Sequence, residues 1–468
     1  MFNPILNADS YKYSMFLQYP PKTEFVCSYI ESRGGIHPQT LFFGLQYFIK
    51  SVLMAQITLE MVNQAEKVLT AHGEPFDREM WLYIVEKHNG FLPLHIRAVD
   101  EGSVVDVKNV LVTVVNTDPR CFSLTTFIET ALLRAVWYPT TVATNSYFMK
   151  KLILSFLEKT GTPEAAEFKL HDFGSRGVSS YESASIGSLA HLLSFRGTDS
   201  ISALTLAMDY YNAKDPVGFS IPASEHSTIT SWGRDNEAKA YQNMIKQFGK
   251  KDAIFAVVSD SYDIFNAVEN IWGNELKQEV IDSGATLVIR PDSGDPATII
   301  ECLLELIAKQ FGYTVNDKGY RVFNNVRLIQ GDGVNHDTIQ AILTMMTEKG
   351  YSADNIAFGQ GGALLQIVNR DDQKFAMKCS AISINGQWNP VQKDPITDPG
   401  KKSKTGLLDL VATPDGTKTI DMLTFKDYVP GMETLMKTVY FWNGLERLRS
   451  ERPMIVNKSF EDIRSSIV

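Results

Sequence analysis

Residues 285–295 read ATLVIRPDSGD, an apolar β-branched run that ends in Arg290, Asp292 and Asp295. Three more segments share this grammar: Ala253–Asp263 (AIFAVVSDSYD), Val326–Gly333 (VRLIQGDG) and Asn355–Gly362 (NIAFGQGG). Each is followed by a helical pattern. Unbroken apolar runs suit strands covered on both faces, as in a parallel sheet with helices outside. Strand and helix in alternation predict an α/β fold, a β/α barrel or an open sheet. In such folds chemistry collects at the carboxyl ends of the strands. Those ends here carry Asp260, Asp263, Arg290, Asp292, Asp295, Asp332 and several glycines. Carboxylates beside arginine and bare backbone suit a phosphate-rich substrate bridged by Mg²⁺. The pattern is that of an enzyme.

The bulk properties set limits on this reading. With 468 residues, the chain has room for two or three domains, each with a full core. Hydrophobic content of 44% and charged content of 21% are those of an ordinary globular protein. A net charge of −9 disfavours general nucleic-acid binding, although a basic cleft can sit on an acidic surface. Cys27, Cys121, Cys302 and Cys379 are scattered, without the spacing of a zinc site or a disulfide framework, so free thiols in a reducing cytoplasm are expected. The first residues show no basic and apolar leader pattern, and no apolar run is long enough for a membrane span.

Along the chain, residues 39–90 read as helical, and 95–116 alternates like a small antiparallel unit. Two long helical patterns follow, at about 122–136 and 140–159. A strand at 168–173 opens the β/α part, which is expected to run to about 385. The resulting division is an N-terminal α/β segment (1–160), a barrel with the active site (161–385) and a C-terminal segment (386–468) that packs with the first.

Neither the GxxxxGK[ST] nor the GxGxxG phosphate fingerprint occurs. Gly359, Gly361 and Gly362 read either as a tight turn or as a phosphate nest at a helix start. Residues 171–177 (HDFGSRG) place His, Asp, Phe and Arg at one strand end. Asp199 could equally be the N-cap of the following helix. His226 precedes a helical run, and a lone histidine is more often structural than chemical. The lysines at 393–404 (KDPITDPGKKSK) read most simply as a solvated charge run.

Taken in order, ADSYK (8–12), QYPP (18–21), HDFGSRGVSS (171–180), FRGTD (195–199), PASEHSTIT (222–230), SDSYDIFNA (259–267), RPDSGDP (290–296), IQGDGV (329–334), FGQGG (358–362) and the 393–404 stretch resemble the nicotinamide phosphoribosyltransferase family. The resemblance spans almost the whole chain. It implies an irregular β/α barrel of the type II phosphoribosyltransferase kind, with an additional α/β domain built from the N- and C-terminal segments. The implied reaction makes nicotinamide mononucleotide and pyrophosphate from nicotinamide and phosphoribosyl pyrophosphate, with Mg²⁺ and with ATP as co-substrate. The implied assembly is a homodimer with shared active sites.

The resemblance also implies site roles. Phe173 and the partner chain's copy of Tyr11 would sandwich the pyridine ring. Asp199 would accept from the carboxamide, and Arg176 would flank base and phosphate. Asp260, Arg290, Asp292, Gly331, Asp332, Gly362 and Arg370 would hold ribose and 5′-phosphate, with Asp260 and Asp292 near the metal. Arg33, Lys378, Lys393 and Lys401 would meet pyrophosphate and nucleotide phosphates, which displaces the solvated reading of the lysines. His226 would take a phosphoryl group from ATP. Two rivals stand beside this reading: a nicotinate phosphoribosyltransferase of the same fold, and a non-catalytic relative that binds or signals. An acid at 199 suits an amide over a carboxylate.

Overall fold

The computed structural model describes residues 2–398, 401–424, 432–446 and 451–467. The chain divides into two compact units: 1–144 with 208–214 and 369–468, and 145–207 with 215–368. The division therefore falls at 144 and 368, not at 160 and 385 as expected from the sequence. The cause is the strand Phe375–Ile384, which pairs antiparallel with Thr23–Ser32 and so belongs to the first unit.

That first unit is built on a seven-stranded sheet, much larger than the small unit expected at 95–116. Thr23–Ser32 lies between Phe375–Ile384 and Val110–Asn116, and Leu94–Ala98 joins Val110–Asn116 to Lys437–Phe441. Helices Leu59–His72 and Arg78–Lys87 bury Val62, Ala65, Leu69, Met80, Trp81 and Ile84 in its core. The two long helical patterns are one helix, Glu129–Thr160, with Pro139 inside it. Proline removes one helical hydrogen bond and crowds the preceding turn. Here its ring lies against Gly44, where a Cβ would come within 2.3 Å of the ring.

The second unit is a parallel barrel. Its strands are β1 (Leu170–Asp172), β2 (Gly197–Thr198), β3 (Ile254–Val258), β4 (Thr286–Arg290), β5 (Val326–Gln330) and β6 (Ile356–Gln360), in the order β2-β1-β6-β5-β4-β3. An irregular segment closes the ring. Phe219 bridges to Gly197 on one edge and Ala223 to Ala256 on the other. Backbone bonds Thr198 N to Phe219 O and Ala256 N to Pro222 O hold both seams. Strand alternation then sorts the side chains. Leu287 and Ile289 of β4 join the outer core under the helices, while Val288 meets Ala256 and Ile329 in an inner cluster beside Phe173. Helix Pro296–Phe311 buries Ile300, Leu303, Leu304, Ile307 and Phe311, the helical repeat that its sequence displays.

Candidate active site

The carboxyl ends of β1–β6 gather the site of the second unit. At the end of β1, Asp172 is fully buried. Its carboxylate accepts from Gly174 N, Thr198 Oγ1 and Ser200 Oγ at 2.8, 2.8 and 2.7 Å. These bonds tie the β1 turn to β2 and set the start of the loop that bears Phe173. The Phe173 ring rests on bare backbone: a Cβ at Gly359 would lie 1.8 Å from its Cε2, and one at Gly331 would lie 3.4 Å away. The Arg290 guanidinium sits 5.5 Å from the ring centroid, a cation–π contact.

Asp199 follows β2. Its Oδ1 accepts from His171 Nε2 and from Ser220 Oγ, both at 2.9 Å. Its side chain is therefore not a helix cap, and it is 53% exposed. Burial alone would raise its pKa, but the His171 and Ser220 bonds and the Arg290 charge outweigh burial and hold the carboxyl below its ordinary value.

A second cluster lies at β3 and β4. Arg290 grips both oxygens of Asp292, at 3.2 and 2.7 Å. Asp260 accepts from Asp292 N at 3.1 Å, from Ser293 Oγ at 2.6 Å and from His226 Nε2 at 2.9 Å. Burial pushes Asp260 up; those three donors overcome it and hold the carboxyl down. The His226 side chain remains 45% exposed, backed by a carboxylate that is 5% exposed. The acid pairs thus split in role. Asp260 and Asp292 are linked at the strand ends through the Asp292 backbone N–H, whereas Asp263 and Asp295 cap the helices that follow β3 and β4.

The turn bearing Arg176 adjoins the glycine cluster: a Cβ at Gly177 would stand 3.3 Å from Gly362 Cα. Asp332 is exposed, and its carbonyl accepts from the Gln330 amide.

The other expected residues lie in the first unit. Lys378 is half-buried. Burial lowers its affinity for a proton, Glu129 opposes that, and Arg33, Lys393 and Lys12 add to it, so these four cations share one neighbourhood. Lys12 pairs with Glu129. The 393–404 loop is closed by Lys393 and Ser403, with residues 399–400 outside the described set. Lys401 pairs with Asp398 at 3.0 Å and Arg370 with Asp371 at 3.3 Å. Tyr11 is 57% exposed. Ser220 is the site residue that the sequence reading did not single out; His171, Asp172 and Gly359 stand in its motifs without an assigned role.

A barrel whose strand ends present paired carboxylates, arginine and bare glycine backbone is the architecture of a phosphoribosyltransferase, an enzyme that transfers a pentose phosphate. The sequence model described as the nicotinate phosphoribosyltransferase (NAPRTase) family matches residues 168–440, and that of the nicotinamide phosphoribosyltransferase N-terminal domain matches 3–96. A protein of Xanthomonas campestris pv. campestris named nicotinamide phosphoribosyltransferase is 54% identical over 412 residues, 87% of each chain. One of the same name from Acinetobacter baylyi is 33% identical over 460 residues, 90% of each. The chain belongs to the nicotinamide phosphoribosyltransferase family.

Solved structures share the fold. Nicotinate-nucleotide pyrophosphorylase from Pyrococcus furiosus superposes with a TM-score of 0.63 at 14% identity, covering 99% of this chain and 94% of that one. Human nicotinic acid phosphoribosyltransferase superposes at 0.53 and 15%, covering 99% and 93%. Among the described residues no helix is long and apolar enough to cross a membrane.

Proposed function

We propose that the chain makes nicotinamide mononucleotide and pyrophosphate from nicotinamide and phosphoribosyl pyrophosphate, as a salvage step in the cytoplasm. The observation that carries this reading is Asp199. It is an anionic carboxylate, with one oxygen held by His171 and Ser220, in the same strand-end cluster as Phe173. An amide donates to such a group, and the carboxylate of nicotinate is repelled by it.

The pyridine nitrogen attacks the ribose anomeric carbon with its own lone pair, so no base is required. The bond to pyrophosphate breaks with its electrons on the leaving oxygen, and the configuration at carbon inverts. The aromatic face of Phe173 stabilises the pyridinium as it forms, and the partner chain's copy of Tyr11 would close the other face. Arg176, Arg290, Asp332, Gly331 and Gly362, with Arg33, Arg370, Lys378, Lys393 and Lys401, would position the ribose and its phosphates.

Asp260 and Asp292 fit Mg²⁺ in its sparse mode, in which one or two carboxylates and substrate phosphates complete the shell. Their oxygens already accept protein hydrogen bonds, so an ion would use the remaining lone pairs. When bound, Mg²⁺ supplies charge to offset that of the departing pyrophosphate. His226 would accept a phosphoryl group from ATP, with Asp260 orienting its ring through Nε2.

The test is a product assay. Purified protein receives Mg²⁺, phosphoribosyl pyrophosphate and either nicotinamide or nicotinate. Mononucleotide and pyrophosphate should form from nicotinamide, with ATP raising the yield and excess EDTA stopping it. If nicotinate alone is converted, or neither is, the reading falls.

A further inference from the structure

The geometry around Asp199 points to His171 as a positioning residue that makes the site amide-selective. This deepens the nicotinamide reading and rests on it. Both donors to Asp199 converge on one atom. His171 Nε2 and Ser220 Oγ each reach Oδ1 at 2.9 Å, and no described residue donates to Oδ2. Two bonds on one oxygen fix the plane of the carboxylate and leave Oδ2 as the strong acceptor for an incoming amide N–H.

The kind of donor matters as much as the number. An imidazole and a hydroxyl hold a carboxylate without a permanent cation. An arginine or lysine there would cancel the charge and admit a negatively charged ring substituent. Arg290, the nearby cation, is committed to Asp292 through two hydrogen bonds. Asp199 is thus anchored while its negative charge is kept.

The strand pairing builds this arrangement. His171 on β1 stands directly opposite Gly197 on β2. A Cβ at Gly197 would fall 2.4 Å from His171 Nδ1, so the imidazole occupies the space that a side chain would fill. Asp199 lies two residues beyond Gly197, within reach of Nε2. The same imidazole is 5.1 Å from the Phe173 ring. One side chain therefore contacts both groups proposed to receive the pyridine. Ser220 arrives from the segment that closes the barrel, across the opposite side of β2.

The test compares kcat and KM for nicotinamide and nicotinate, with saturating phosphoribosyl pyrophosphate, in the wild type and in His171→Phe, His171→Gln, Gly197→Ala, Ser220→Ala and Asp199→Asn. His171→Phe keeps a ring and loses the donor. It should raise the nicotinamide KM about tenfold with a smaller change in kcat, and lower the nicotinamide-to-nicotinate ratio of kcat/KM by about as much. His171→Gln keeps an N–H in place of Nε2–H and should recover most of the loss. Gly197→Ala displaces the ring and should mimic His171→Phe. Ser220→Ala, at an exposed position that carries no folding burden, should shift the ratio the same way by a smaller factor. In an Asp199→Asn background, His171→Phe should add little, because the group it positions has lost its charge.

The proposal is overturned if the ratio is unmoved in both His171→Phe and Ser220→Ala. It is also overturned if His171→Gln falls as far as His171→Phe, or if the effect is undiminished on Asp199→Asn. A wild type that is inactive on nicotinamide overturns both readings. A wild type that is active on it, with unmoved ratios in the variants, overturns this one alone.

Discussion

Single atoms decide the chemistry at the residue scale. Asp199→Asn keeps size and removes charge. Like charges about 4 Å apart at an effective dielectric near 20 repel by roughly 4 kcal/mol, a figure that solvent at this half-exposed group reduces. The variant should therefore lose nicotinamide efficiency, gain on nicotinate, and compress the kcat/KM ratio more than tenfold. An unchanged ratio in paired kinetics would remove Asp199 from substrate choice. Gly359→Ala tests the aromatic platform. Its new Cβ would stand 1.8 Å from Phe173, so the ring must move. Overpacking of this kind costs about 1–3 kcal/mol, and nicotinamide kcat/KM should fall at least tenfold. Normal kinetics in that variant would mean the ring does not carry the base. Much of this site was legible: Asp260, Asp292, Arg290, Phe173 and Asp199 stand in recognisable strand-end clusters. His171 stands in the strand-end motif without a role, and Ser220 was not singled out, because their meaning lies in a convergence on one oxygen from separate segments. No linear spacing encodes that.

Elements explain why acids of one spacing have two roles. The i,i+3 pairs Asp260/Asp263 and Asp292/Asp295 each comprise a strand-end residue and a helix cap. Asp263 accepts from Phe265 N and Asn266 N, both at 3.0 Å. Asp263→Ala should therefore cost stability, about 1 kcal/mol by denaturant titration, and leave turnover within a few-fold. Asp260→Ala frees His226 and should abolish ATP-dependent stimulation in the coupled assay. Equal effects of the two variants on both measurements would contradict the division. The β/α rhythm was legible because parallel strands buried on both faces write continuous apolar runs. The strand Thr23–Ser32 was not read. It carries Glu24, Ser28, Glu31 and Ser32, polar residues whose partners are distant in sequence, such as Gln373 for Ser32 and Lys404 for Glu31. The two helical patterns at 122–136 and 140–159 are joined by one helix that runs through Pro139, whose ring lies against the bare face of Gly44.

Taken whole, the molecule poses questions of assembly and acidity. Tyr11 is exposed, and the proposed reading takes the partner chain's copy of it to complete the site. Mixed subunits carrying Tyr11→Ala and Asp292→Ala, each inactive alone, should recover activity, since one hybrid site has both residues. No recovery, with subunit exchange shown by native mass spectrometry, would argue for separate sites. Glu101 is a buried carboxyl of the first unit whose ionisation couples to stability. Its Oε1 accepts from Gln46 N at 2.7 Å; burial pushes its pKa up to about 7, against the opposing pull of its hydrogen bonds with Gln46, Tyr211 and the 44–45 backbone. A carboxyl raised on folding adds stability that is complete below the unfolded value near 4.5 and is lost as pH rises through about 7. Glu101→Gln should thus stabilise the protein above pH 7 by about 3 kcal/mol and flatten the melting-temperature profile between pH 5 and 8. A parallel profile would dismiss the group. The seven-stranded sheet has a further consequence, one of time. Thr23–Ser32 leaves the ribosome before its neighbour Phe375–Ile384, which follows after roughly 340 more residues. At about 10 residues per second, that edge waits about half a minute on every nascent chain, an opening to aggregation that a chaperone can cover but not shorten.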